Sequence, residues 1–183
     1  MADTTTGATP GRSRMVTGLF RDRDSAESAY GSLTSRGYSK DDVNLLMSDK
    51  TRDTYFKDDK KDGATDLGDK AWEDAGKGAA IGGGVGATIA AIAAMGTTLA
   101  LPGLGLLIAG PLAAAIAGAG AGGLTGGLIG ALVGHGIPEE HAKKYDEGVR
   151  NGGIVMGVNA RSDEDAEYFE NQFRTNRGEN VYR

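Results

Sequence analysis

Residues 118–134 read GAGAGGLTGGLIGALVG, with a glycine at every fourth position. Residues four apart lie on the same face of a helix, so these glycines would form a strip without side chains. Such a strip lets another helix approach to backbone contact. The pattern therefore predicts a helix-packing interface formed by Gly118, Gly122, Gly126, Gly130 and Gly134.

This stretch belongs to a longer segment, residues 78–134, that contains no charged side chain. The segment is long enough for two helices of about 20 residues, the length that spans a hydrocarbon core. Because a Pro-Gly sequence at 102–103 interrupts it near the middle, we predict a helical hairpin. Its first arm repeats the small stripe at Gly78, Gly82 and Gly86. Bulky residues, Leu128 and Leu132 among them, would form a second face for lipid or a neighbouring protein.

The flanking segments have the pattern of a small globular domain. In the first, residues 15–48, an apolar run at 15–20 precedes a helix with Asp24 as its predicted N-cap. A second strand is predicted at 43–47. These elements form the first β-α-β half.

The second flank, residues 135–183, begins with a helix at Pro138 and continues with a strand at 154–158. A helix capped by Asp163 and a weak strand at 180–182 complete the second half. Two such halves commonly close into a four-stranded antiparallel sheet with helices on one face. The predicted fold is therefore α+β, a ferredoxin-like split β-α-β sheet with an inserted glycine-rich α-helical hairpin.

Two polar segments complete the predicted organisation. Residues 1–14 are Thr-rich and have no apolar core, so we expect a disordered tail rather than a signal peptide. Residues 49–77 are densely charged and are predicted to be a linker that turns helical towards Trp72. The net charge of −5 excludes an extended basic surface for nucleic acid. The absence of cysteine excludes disulfides and thiolate chemistry.

No residue pattern indicates catalysis. A GxGxxG string at 118–123 lacks the preceding strand and the later acidic residue of a dinucleotide site. His135 and His141, the two histidines, match no metal-binding spacing. We expect His135 at the start of a helix and His141 in solvent. We therefore predict no catalytic, cofactor-binding or metal-binding residues, and no enzymatic activity.

The remaining conspicuous side chains have structural interpretations. The carboxylate pair Asp41-Asp42 is predicted to lie in an exposed loop. Six aromatic residues are predicted to form core or rim packing of the small sheet. They are Tyr30, Tyr38, Tyr145, Tyr168, Phe169 and Phe173.

The flanks resemble bacterial general stress proteins of the 17M-like domain family. The resemblance rests on VTGLF at 16–20, GYSKDDV at 37–43, and above all GIPEEHAKKYDEG at 136–148 leading into GGIV at 152–155. It covers residues 15–48 and 135–182. The resemblance implies a bacterial protein induced under general stress, with no assigned enzymatic activity and no catalytic residues to transfer.

Three functions remain open from the sequence. In the first, the hairpin anchors the domain to the cytoplasmic side of the inner membrane and also drives oligomerisation. Lys70, Lys77, Lys143 and Lys144 flank the hairpin, and the positive-inside tendency places them in the cytoplasm. In the second, the hairpins of several copies form the core of a soluble cytoplasmic assembly. In the third, the sheet face binds a regulatory ligand. The predicted partners are the protein itself and membrane lipid, without nucleic acid.

Overall fold

The computed structural model describes residues 14–56, 99–101, 105–113 and 127–183, and these form a mixed α+β protein. The elements, in chain order, are β1 (Met15–Phe20), α1 (Arg23–Ser35), a 3-10 turn (Lys40–Asp42), β2 (Val43–Ser48), α2 (Asp49–Phe56), β3 (Leu99–Leu101), β4 (Leu106–Ala109), α3 (Gly127–Gly134), α4 (Glu139–Arg150), β5 (Ile154–Asn159), α5 (Asp163–Thr175) and β6 (Glu179–Tyr182).

The strands form one antiparallel sheet in the order β3-β4-β2-β5-β1-β6. Strand β5 lies between β1 and β2, and its Gly157 pairs with Thr17 on one side and with Asn44 on the other. The strands predicted in the two flanks are all present. The last begins one residue before the predicted 180–182, at Glu179.

The helical hairpin predicted over residues 78–134 is wrong at its centre. Strands β3 and β4 pair with each other there, and β4 also pairs with β2 from Leu45↔Ala109 to Ser48↔Leu106. A hairpin that crosses a bilayer twice would place this break about 30 Å from the flanking domain. Because β4 lies within the sheet of that domain, this part of the segment does not stand at that distance, and the membrane anchor itself stays a prediction.

A short apolar run explains the error. Leu106–Ala109 has only four residues, and periodicity alone cannot distinguish such a run from part of a buried helix. Gly105 and Gly110, with φ of 61° and 92°, bound the strand. Of the remaining predicted hairpin, 78–98, 102–104 and 114–126 lie outside the described residues. Within the part that the structure describes, no helix has the length and apolar character to cross a membrane.

The segment predicted to be a charged linker, residues 49–77, begins with helix α2. Thr51 is buried in its first turn, and its backbone N–H donates to the Ser48 hydroxyl at 3.0 Å. Residues 57–77 lie outside the described residues, as do residues 1–13 of the predicted tail. Arg14 is described, and its guanidinium pairs with Asp163 at 2.9 Å.

Helices cover both faces of the sheet, whereas the sequence predicts helices on one face. Alternate residues of β1 point to opposite sides, with Val16 and Phe20 in one apolar cluster and Met15 and Leu19 in another. The first cluster is closed by α1 and α5, and the second by α3 and α4. Five predicted packing aromatics, Tyr30, Tyr38, Tyr145, Phe169 and Phe173, are buried, and Tyr168 is partly buried.

The helix starts differ slightly from prediction. Asp22, not Asp24, caps α1, and its carboxylate accepts from the Ser25 backbone at 2.8 Å. Ser162, not Asp163, caps α5, and its hydroxyl accepts from the Asp165 backbone at 3.0 Å. At the start of each helix, two nearby residues have side chains that can cap it, so the sequence alone does not show which of the two is the N-cap.

Helix α4 lies against the sheet at a glycine. A Cβ added to Gly148 would stand 2.3 Å from Leu19 Cδ2 of β1. Leu19 is fully buried, so it has little room to move. The absence of a side chain at position 148 therefore allows this helix to approach the strand closely.

Candidate functional site

Two of the predicted helix-packing glycines, Gly130 and Gly134, are described, and both lie on α3. Both residues are exposed. A Cβ added at either position would meet no atom within 4 Å in the described part of the chain. The other predicted packing residues, Gly78, Gly82, Gly86, Gly118, Gly122 and Gly126, lie outside the described residues.

The leucines of α3 face the protein itself. Leu128 and Leu132 are 2% and 1% exposed, and they share an apolar cluster with Leu46 and Val155 of the sheet. The sequence suggested that this bulky face meets lipid or a neighbouring protein. That interpretation is wrong for these two leucines, because α3, together with α4, covers the second face of the sheet.

The outward face of α3 is apolar and uncharged. Val133 is 43% exposed and is the large apolar side chain that stands out as exposed among the described residues. Ile129 is partly buried at the edge of the second cluster. Together with Gly130 and Gly134, these residues leave helix backbone and two apolar side chains available to a neighbour.

A glycine turn ends α3. The Ile137 N–H donates to the Leu132 carbonyl at 3.2 Å, and the Gly136 N–H donates to the Val133 carbonyl at 2.9 Å. With Gly136 at φ 86°, this is the Schellman arrangement. His135 lies at this helix end, not at the expected helix start, and its Nδ1 is 3.0 Å from the Ala131 carbonyl.

The buried hydroxyls of Tyr145 and Thr17 join α4 to β1 and β6. The sequence does not predict this contact. The Tyr145 hydroxyl donates to the Asn180 carbonyl at 2.7 Å and is 2.8 Å from Thr17 Oγ1. Since the tyrosine proton is used on Asn180, Thr17 donates to the Tyr145 oxygen. Burial raises the pKa of Tyr145 to about 12, so the hydroxyl remains a donor. Asn180 has a positive φ of 51°, which the sequence does not reveal.

His141 lies beside this pair and is partly buried, whereas the sequence predicts a solvated side chain. Its Nδ1 is 3.3 Å from the Asn180 carbonyl. Its ring centroid is 4.9 Å from that of Tyr182. These contacts hold α4 against the last strand, so His141 has a packing role.

A small cavity lies between α3 and the sheet. Its lining includes Gly157 with its strand partners Thr17 and Asn44, and Leu132 of α3. The cavity volume is about 10 Å³, which is the space of about one water molecule. The Asn44 side-chain oxygen is already used, since it accepts from the Leu112 N–H at 2.7 Å. This site is too small for a metabolite.

A charged cluster joins the end of α1 to the start of α5. The Tyr38 hydroxyl donates to Asp165 at 2.6 Å and accepts from the Arg161 N–H at 2.7 Å. The Tyr38 hydroxyl and the Arg36 guanidinium lower the pKa of Asp165. Burial, aided by Asp165, raises the pKa of Tyr38. Each charge has a partner within the cluster.

Asp42 belongs to the same cluster and is half-buried, while Asp41 is exposed as predicted. Asp42 accepts from the Arg161 guanidinium at 3.0 Å and from the Ser39 backbone at 2.8 Å. Although burial opposes the shift, these hydrogen bonds lower the pKa of Asp42. The expectation of an exposed loop pair is therefore correct for one carboxylate and wrong for the other.

These polar groups satisfy one another. Across the described residues, each buried side-chain nitrogen or oxygen has a hydrogen-bond partner. No group of three or more His, Cys, Asp or Glu side chains in the described ranges could hold a metal ion. The outward face of α3 is therefore the strongest candidate for an interaction site. Comparison of the chain with protein families, curated proteins and solved structures gives no match.

Proposed function

We propose that the protein is a non-enzymatic assembly protein of the bacterial general stress response, and that copies of it pack through the outward face of α3. The observation that carries this proposal is Gly130, an exposed glycine inside a helix with open space at its Cβ position. Such a glycine costs about 0.8–1 kcal/mol relative to alanine. Within the described residues, no close contact requires it.

Helix packing supplies a reason for that cost. Gly130 and Gly134 lie four residues apart and present backbone on one face, which lets a second helix approach closely. Val133 adds exposed apolar area beside them. In the sequence, Gly118, Gly122 and Gly126 have the same spacing, and Gly127, with φ 61°, lies between them and the described part of the stripe. An uncharged partner surface suits this face, and a second copy of the chain provides one.

We also propose a ferredoxin-like arrangement for the part of the fold contributed by the flanks. The strand order β6-β1-β5-β2 supports it, as do helices α1 and α5 on one face of those strands. The resemblance of GIPEEHAKKYDEG at 136–148 to general stress proteins supports the stress-response assignment. Nucleic acid is not proposed as a partner because the net charge is −5.

Membrane lipid is the alternative partner for the same face. The uncharged sequence from 78 to 134 and the exposed Val133 favour it. In this alternative the protein lies at the cytoplasmic side of the inner membrane without the two-crossing hairpin. A regulatory ligand on the sheet receives less support, since helices cover both faces and the cavity holds about one water.

Sedimentation velocity of the full chain tests the proposal. Gly130→Leu should shift an oligomeric wild type towards smaller species, because the new side chain blocks close helix contact. Gly130→Ala should stabilise the dissociated protein by about 0.8–1 kcal/mol while weakening association. Ser28→Leu is the matched control, since it adds the same side chain to an exposed position of α1.

Flotation with vesicles of anionic phospholipid distinguishes lipid from self-association. Flotation that Val133→Asp abolishes and Gly130→Leu retains would identify lipid as the partner, because a charge opposes burial in lipid whereas a leucine adds apolar area. A wild type that is monomeric and does not float, or an oligomer unchanged by Gly130→Leu, would contradict the proposed function.

A further inference from the structure

We propose that α3 is a releasable cover, which opens from the sheet as a unit while the rest of the domain stays folded. The cover consists of α3 and the turn at 135–137. It lies over an apolar surface that includes Leu46 and Val155. This inference is independent of the proposed function, because it concerns the inward face of α3 and not its outward face.

The helix is intrinsically weak. Gly127, Gly130 and Gly134 are three of its eight residues, and isolated helices of this length do not persist in water. Its sequence, GLIGALVG, has no polar side chain. Its attachment therefore depends on the burial of Leu128, Ala131 and Leu132.

The packing beneath the cover is incomplete. Leu132 and Gly157 both line the small cavity, so the inner side of Leu132 loses some dispersion contacts. Helix α4, on the same face, is held more firmly. Its Tyr145 bonds to Thr17 and Asn180, and its Gly148 fits closely on Leu19. Of these two helices, α3 should therefore open first.

Both ends of the cover are glycines in a left-handed conformation. Gly127 has φ 61° and Gly136 has φ 86°. An added Cβ at either would meet no atom within 4 Å in the described part of the chain. Because glycine adopts positive and negative φ about equally readily, the backbone can change direction at each end of the cover. Opening would expose Leu46, Val155 and Ile137 while the strands remain paired.

Native-state hydrogen exchange tests this inference, at a protein concentration where the smallest species dominates. The informative amides are 131–134 and those of His135, Gly136 and Ile137, which donate to helix carbonyls. We expect them to exchange at least tenfold faster than the amides of 154–158. Their exchange should also change little with low concentrations of urea, because local opening exposes little surface.

Two variants sharpen the test. Gly130→Ala should slow exchange of the cover about four- to fivefold, the equivalent of about 0.8–1 kcal/mol of helix propensity. Phe173→Leu removes packing in the first cluster, on the other face of the sheet. It should accelerate exchange at 154–158 and leave the cover unchanged. If Phe173→Leu accelerates both sets equally, or if both show the same urea dependence, α3 opens only with global unfolding and the inference is wrong.

Discussion

Replacing Tyr145 by phenylalanine tests the buried hydroxyl contact that joins α4 to β1 and β6. The side chain is fully buried, and its hydroxyl lies 2.8 Å from Thr17 Oγ1 and 2.7 Å from the Asn180 carbonyl. Removing it leaves Thr17, which is 2% exposed, without an acceptor. We expect the free energy of unfolding to fall by about 1–3 kcal/mol, because a buried polar group loses its partner.

The companion substitution is Thr17→Val, which preserves shape and leaves the Tyr145 hydroxyl its bond to Asn180. We expect it to cost about 0.5–1.5 kcal/mol. The double variant should lose less stability than the two single variants together, because it has no stranded hydroxyl at position 17. The coupling should be at least 0.5 kcal/mol, the range seen for contacting residues.

Urea unfolding followed by circular dichroism provides the measurement, and the dependence on urea should be the same for all four proteins. Tyr182→Phe is a suitable control, since its ring contact with His141 survives the substitution. We expect that control to remain within about 0.5 kcal/mol of wild type. Additivity of Tyr145→Phe and Thr17→Val within about 0.3 kcal/mol would refute the described contact.

Three further predictions concern stability. Gly110→Ala should destabilise the protein by more than Gly37→Ala in urea unfolding, because both have positive φ but only Gly110 has a carbonyl 2.2 Å from the added Cβ; equal losses would contradict the pairing of β4 with β2. Asp165→Asn should make the loss of stability below about pH 4 less steep. Because its pKa is lowered in the folded protein, the Asp165 carboxylate stabilises the fold above its unfolded pKa, and this stabilisation is lost as pH falls through its folded pKa. Urea midpoints of the wild type and the variant from pH 7 to pH 3 provide the measurement. The same pH dependence in both proteins would contradict the prediction. Gly148→Ala should leave the protein about 1–3 kcal/mol less stable than Gly130→Ala, because only the Cβ added at position 148 clashes with Leu19. Calorimetry of both variants provides the measurement, and equal stabilities would contradict the prediction.

The flanks of the fold could be predicted because their signals are local. The strand at 154–158 is bounded by Gly152-Gly153, and the helix before it begins with a proline followed by two glutamates. These are start and stop signals that tertiary context rarely overrides. The caps were misplaced by one or two residues because neighbouring Asp and Ser side chains can make the same bond.

The second face of the sheet could not be predicted in full because part of its cover, helix α3, comes from the apolar segment. Leu106–Ala109 pairs with β3, which is close in sequence, but it joins the sheet by pairing with β2, a contact distant in sequence. Asn44 illustrates the same limit, since its side chain caps the turn at Leu112. Within Val43-Asn44-Leu45, no local pattern indicates that partner. The four-residue spacing predicts that Gly130 and Gly134 lie on one face of α3. It does not predict that Leu128 and Leu132 pack against the sheet of the same chain.

The pairing of β4 with β2 has a consequence for any shortened form of this chain. Joining the two flanks directly would delete α2, β3, β4 and α3. Strand β2 would then present an unpaired edge, and Leu46 and Val155 would lose the leucines that cover them. Exposed edges and apolar patches of this kind promote aggregation. Strand β4 and helix α3 are therefore part of the folding unit, and a related domain that lacks them would need another way to close that edge.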